Sequence, residues 1–72
     1  MGKIEFGHII KKYRLKKGIT IRELAELTNI STGFIGDIET NRSRPSYENL
    51  VKLIQVLDIS LEDIFNLQQI EK

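Results

Sequence analysis

Apolar residues recur along the chain with helical spacing and nowhere with the alternation of a strand. Phe6, Ile9, Ile10 and Tyr13 fall at i, i+3, i+4 and i+7, one stripe of an amphipathic helix over about residues 5–17. Leu15 lies off that stripe and is expected at the surface. Gly18 supplies the stop. Thr20 and Glu23 form a Thr-x-x-Glu capping box, which predicts a second helix with Leu24 and Ala25 turned inward. Asn29 follows where a left-handed residue is needed, and Asn tolerates that conformation best after Gly.

Ser31 is positioned to cap a third helix running to about Thr40, with Ile35 and Ile38 as its inner face and Ile30 packing before the cap. Asn41 again sits where a left-handed residue ends a helix. Pro45 stops any continuation, so residues 42–44 form a loop. Ser46 opens a fourth helix, whose Leu50, Val51, Leu53, Ile54 and Leu57 make it the most apolar and the expected centre of the molecule. Ser60 with Asp63 is expected to cap a fifth, with Leu61, Ile64 and Phe65 inward. Leu67 and Ile70 extend past it. The prediction is an all-α, compact five-helix domain with a core over about 6–66 and a C-terminal extension at 67–72. No repeat or low-complexity segment interrupts it.

Composition narrows the picture. Seventy-two residues make one small domain. There is no cysteine, so neither a disulfide nor a thiolate zinc site staples it. No apolar run approaches the roughly 18 residues that span a bilayer, and the N-terminus lacks a signal-peptide core. A cytoplasmic chain held by its core alone is the expectation, and dimerisation would support so small a core. Net charge is only +1 but unevenly placed. Residues 1–44 carry nine Lys/Arg against five Asp/Glu, or +4, and residues 45–72 carry two against five, or −3. An anionic partner would meet the basic part, with Lys11, Lys12, Arg14, Lys16 and Lys17 as its densest run. For a charge run alone, a solvated helix face is the favoured reading.

Enzymatic chemistry finds no foothold. The sequence offers no cysteine nucleophile, no His–carboxylate constellation, no Gly-rich phosphate loop and no metal-ligand cluster. His8, the one histidine, reads as a surface helix residue. No metal, cofactor or small-molecule substrate is expected. The two short capped helices over residues 20–40 cannot bury much of each other. Such a pair is characteristic of a reading head whose usual target is the DNA major groove.

The residues resemble the XRE/Cro-type helix-turn-helix family, with the lambda-repressor-like five-helix fold. The matching stretches are Ile10-x-x-x-Arg14-x-x-x-Gly18-Ile19-Thr20, Glu23-Leu24-Ala25, Asn29-Ile30-Ser31, Ile35-x-x-Ile38-Glu39, Arg44-Pro45-Ser46 and Leu57-Asp58-Ile59-Ser60-Leu61-x-x-Ile64-Phe65. They run in register without gaps over about residues 6–66. The resemblance implies that the second helix abuts the phosphate backbone and the third enters the major groove. Carried over by position, Thr32, Gly33, Gly36 and Asp37 would read bases. Thr20, Ile21, Ser31, Phe34, Thr40, Asn41, Arg42 and Arg44 would approach phosphates. Arg14 and Glu39 would form an ion pair tying the first helix to the third.

Elementary chemistry supports several of these roles. Arg42 and Arg44 can neutralise phosphate, Thr32 can touch a thymine methyl or a base edge, and Asp37 can accept from cytosine N4. Three features depart from the family pattern. Ile21 stands where relatives carry Gln and cannot donate a hydrogen bond. Gly33 and Gly36 bare the backbone of the recognition helix, at about 0.5–1 kcal/mol each relative to Ala, and point either to close approach or to shape readout. Asp37 repels phosphate unless it meets cytosine or an arginine. Phe34 can stack on a sugar or base or cover the turn, and Tyr47 is expected to pack.

The functional expectation is a sequence-specific double-stranded DNA-binding transcriptional regulator of repressor type. It would bind a near-palindromic operator as a homodimer, with half-sites about one helical turn, ~34 Å, apart. Leu61, Phe65, Leu67 and Ile70 are the dimer candidates. A chain of this length has no room for a separate effector domain, so concentration or a protein antagonist would regulate it. The alternative is an antitoxin or adaptor whose main partner is a protein, docking on apolar atoms of Leu15, Ile21, Leu27 and Phe34.

Overall fold

The computed structural model describes residues 6–64. Four helices follow in order: α1 (Phe6–Lys17), α2 (Ile21–Thr28), α3 (Thr32–Glu39) and α4 (Tyr47–Leu57). A fifth helical segment, α5, begins at residues 61–64. No strand occurs among the described residues.

The boundaries follow from capping chemistry. Thr20 Oγ1 accepts from Glu23 N at 3.0 Å, and Thr20 N donates to the Glu23 carboxylate at 2.8 Å, which completes the capping box of α2. Ser31 Oγ accepts from Phe34 N and Ser46 Oγ from Asn49 N, each at 3.1 Å. Gly18, Asn29, Asn41 and Asp58 take positive φ of 76°, 61°, 62° and 57°. Each lies at a helix C-terminus, where a left-handed residue lets the chain fold back on the last carbonyls. The third helix closes with Arg42 N donating to Asp37 O at 2.8 Å and Asn41 N to Ile38 O at 3.0 Å, the paired bonds of a Schellman motif.

α1 packs on α3 and α4, and α2 packs on the same two helices. Ile10, Leu24, Ile35, Ile38 and Leu53 fill the centre, fully buried, with Ile9, Ile30, Leu57 and Ile59 around them. Each such side chain removed from water contributes about 1.5–3 kcal/mol. Thr28 is buried too, with its hydroxyl donating to Leu24 O at 2.8 Å and accepting from Ile30 N at 3.3 Å. These bonds satisfy its polar atoms inside the core.

Three expectations change. Tyr47 does not pack but stands 84% exposed, because it is the first residue of α4 and faces away from the core stripe of Leu53 and Leu57. Leu61 is 65% exposed rather than turned inward. Asp63 does not complete a capping box with Ser60. Its carboxylate instead accepts from the Tyr13 hydroxyl of α1, which also accepts from Ser60 N at 3.5 Å, while Ser60 Oγ takes Glu62 N. Tyr13 thus holds the start of α5 from 50 residues away. The proposed contacts of Phe65, Leu67 and Ile70 lie outside the described residues.

Candidate nucleic-acid interface

α2 and α3 are eight residues each, joined through Asn29 in the left-handed region and extended Ser31. Ile35 and Ile38 anchor α3 in the core. The helical period then places Thr32, Gly33, Gly36, Asp37 and Thr40 together on the opposite arc. Thr32, Gly33 and Thr40 are exposed, and Gly36 and Asp37 half-buried. Phe34 lies at the edge of this arc, half-buried and packed against the core cluster.

The glycines separate into two kinds. A Cβ on Gly7 would stand 2.2 Å from Ile38 O and 2.8 Å from Glu39 O, so the fold itself requires glycine there. A Cβ on Gly33 or Gly36 would meet nothing within 4 Å. The protein's own packing therefore gives no reason for glycine on the outer arc of α3.

The hydroxyl protons distinguish the backbone-contact candidates. Thr20 and Ser31 act as acceptors in their caps, so each keeps its own proton for an outside oxygen. Thr40 Oγ1 instead donates to Gly36 O at 3.0 Å, with Asp37 O at 3.3 Å, and its proton is engaged inside the helix. At the start of α3, Phe34 N bonds Ser31 Oγ and Ile35 N bonds Ser31 O. The Thr32 and Gly33 amides are then the remaining donors of that first turn, aimed along the positive end of the helix dipole.

Arg42 and Arg44 are exposed on the loop that follows α3, and the Schellman bonds fix the backbone of the first of them against the C-terminal end of α3. Asn41 is exposed, yet its Oδ1 accepts from Gly7 N at 3.1 Å. Ile21 is half-buried and packs against the core, which explains an apolar residue at the start of α2. Arg22, beside it, is a candidate that sequence reasoning missed. It is exposed in the first turn of α2, where a cation opposes the helix dipole and gains the helix nothing. That misplacement was the signal available.

Behind this surface lies the ion pair that the resemblance implied. Arg14 Nε and Nη2 meet the Glu39 carboxylate at 2.7 and 3.2 Å, and Nη1 donates to Ile19 O at 3.0 Å. Only 10% of the Arg14 and 5% of the Glu39 side chain is exposed. The bond to Glu39 raises the Arg14 pKa above its ordinary value, against the effect of burial. Arg14 is thus a structural cation that orients α3 and is withdrawn from phosphate.

Residues 10–64 match the family described as Helix-turn-helix. The chain belongs to this helix-turn-helix family. It is 38% identical over 61 residues to the "HTH-type transcriptional regulator SinR" of Bacillus licheniformis, covering 83% of this chain and 55% of that protein. The SinR of Bacillus subtilis is 36% identical over the same shares of both chains. The "Transcriptional regulator ClgR" of Mycobacterium tuberculosis is 31% identical over 55 residues, covering 76% of this chain and 49% of that protein. The chain spans about half the length of these relatives. Among the described residues no helix is long and apolar enough to cross a membrane.

Proposed function

We propose that this chain is the DNA-reading domain of a transcriptional regulator, placing α3 in the major groove of double-stranded DNA. The observation that carries the reading is the outer arc of α3. It is free of protein packing at Gly33 and Gly36, headed by free amides and the capping hydroxyl of Ser31, and followed directly by Arg42 and Arg44. Membership of the family and relatives called transcriptional regulators point the same way.

In this reading Thr32 and Asp37 contact base edges, and the bare backbone at Gly33 and Gly36 lets α3 approach closely. Thr20, Ser31, Arg22, Arg42 and Arg44 hold phosphates. The protein acts in the cytoplasm as a repressor, binding a near-palindromic operator as a homodimer and excluding other proteins from promoter DNA.

The test is binding to duplex DNA across a salt series. Replacing Arg42 and Arg44 together with Ala should weaken binding to every sequence. It should also flatten the logarithmic salt slope by about 1.8, roughly 0.9 for each phosphate no longer neutralised. Thr32→Ala and Asp37→Ala should change which sequences are preferred. Unchanged affinity and slope in the double arginine variant would refute this docking geometry.

A protein-docking role retains Leu15 and Leu27, each 59% exposed. Ile21 and Phe34 no longer support it, because both pack against the core. Ala substitution of Leu15 and Leu27 separates the readings, since it should leave DNA retardation at low salt unchanged.

A further inference from the structure

The recognition helix ends against the start of the first helix, and one side chain joins them. Gly7 lies in the first turn of α1, where amides lack partners within the helix. Its N–H donates to Asn41 Oδ1 at 3.1 Å across 34 residues of sequence. Ile38 O and Glu39 O, the last carbonyls of α3, approach the same glycine so closely that a Cβ would stand 2.2 and 2.8 Å from them. The positive end of one helix dipole therefore faces the negative end of the other. Asn41 is itself held in the left-handed region, φ 62°, between the carbonyls of α3 and the amide of Arg42, which bonds Asp37 O at 2.8 Å. Glycine would take that φ more easily. The chain has Asn there, and its carbonyl oxygen is engaged by α1.

We infer that Asn41 is a positioning residue for the DNA-binding arginines: its side chain clamps the turn after α3 to the first turn of α1 and so fixes where Arg42 and Arg44 are presented. The clamp engages Oδ1 alone and leaves the Asn41 side-chain N–H donors for the phosphate contact expected of that residue. A loop that turns freely at residue 41 would present the same charges over a wider volume. Ordering them would then be left to the binding step, which weakens it. This inference rests on the DNA-binding reading for its consequence, and on the Gly7–Asn41 bond alone for its geometry.

Two variants separate position from fold. Asn41→Gly removes the clamp while easing the left-handed backbone, so the two effects on stability oppose each other and the protein should stay folded. Asn41→Asp keeps an oxygen for Gly7 N and should keep the clamp. Amide hydrogen exchange, read without DNA, should show Gly7 exchanging about tenfold faster in Asn41→Gly and close to wild type in Asn41→Asp. Duplex-DNA titrations should show Asn41→Gly binding about three- to tenfold more weakly with a shallower salt slope. In the Arg42→Ala, Arg44→Ala background the same Asn41→Gly change should have no further effect on binding. Equal Gly7 exchange in wild type and Asn41→Gly would overturn the clamp whatever the DNA result. Faster exchange with unchanged affinity and slope would overturn the positioning role. Absence of DNA binding by the wild type at low salt would overturn the DNA-reading proposal and the positioning role, leaving only the clamp.

Discussion

Removing either partner of the Arg14–Glu39 pair should bring the domain close to unfolding. The pair is bidentate, at 2.7 and 3.2 Å, with 10% and 5% of the two side chains exposed. Arg14→Ala leaves a nearly buried carboxylate without its cation, and Glu39→Ala leaves a nearly buried guanidinium. Losing one partner of such a pair costs about 3–5 kcal/mol, most of it the unpaired charge left behind. Arg14→Ala also strips Ile19 O of its donor, so it should be the worse of the two. A chain of 72 residues commands only about 4–11 kcal/mol in total. In a domain of this size 1 kcal/mol moves the melting temperature by about 4–8 °C, so each single variant should melt at least ~12 °C lower.

Urea unfolding followed by far-UV circular dichroism provides the assay, with Arg14→Ala, Glu39→Ala and their combination closing a double-mutant cycle and Arg14→Met combined with Glu39→Leu as an apolar replacement. The apolar pair should recover most of the loss, because neither charge then needs solvation. Single-variant losses below about 1 kcal/mol would mean the pair behaves as an exposed one and would refute the view that it anchors α3 to α1.

Other outcomes follow from the same structure. Gly33→Ala and Gly36→Ala should each raise stability by about 0.5–1 kcal/mol while weakening DNA binding. Gly7→Ala should instead destabilise, since its Cβ collides with backbone carbonyl oxygen; thermal melts and retardation assays on the three variants check this. The Tyr13 pKa is raised, first by the hydrogen bond to Asp63 and then by burial. A raised folded-state pKa means that the hydroxyl's contribution is fully present below about pH 10 and is lost as pH climbs through the higher folded value. The protection of amides in residues 60–64, taken relative to the base-catalysed intrinsic exchange rate, should fall in that alkaline range, and Tyr13→Phe should remove this fall.

Most of the helix boundaries were legible in the sequence because caps are local. Thr20 with Glu23, Ser31, Ser46, Gly18, Asn29 and Asn41 each act within a few residues of themselves, and each does in the structure what its position predicts. The long-range bonds were not legible. Tyr13 reaches Asp63 and Ser60 across about 50 residues, and Gly7 reaches Asn41 across 34, where no spacing rule applies. By periodicity Tyr13 is one more member of an apolar stripe, although its hydroxyl needs a partner. The Arg14–Glu39 pair is implied by the family resemblance alone, as periodicity gives no reason to bury an arginine. At the interface, the sequence named the residues of the α3 arc but not the division of labour among their protons. That Thr40 commits its hydroxyl proton within α3 while Thr20 and Ser31 keep theirs depends on rotamers.

The central claim, that this domain reads DNA sequence, is tested most directly by selection from a random duplex library followed by anisotropy titration of the enriched pool at two salt concentrations. Enrichment of a two-fold-symmetric site, bound at least about a thousandfold more tightly than random duplex, is expected. Weak, strongly salt-dependent binding with no enriched sequence would contradict it.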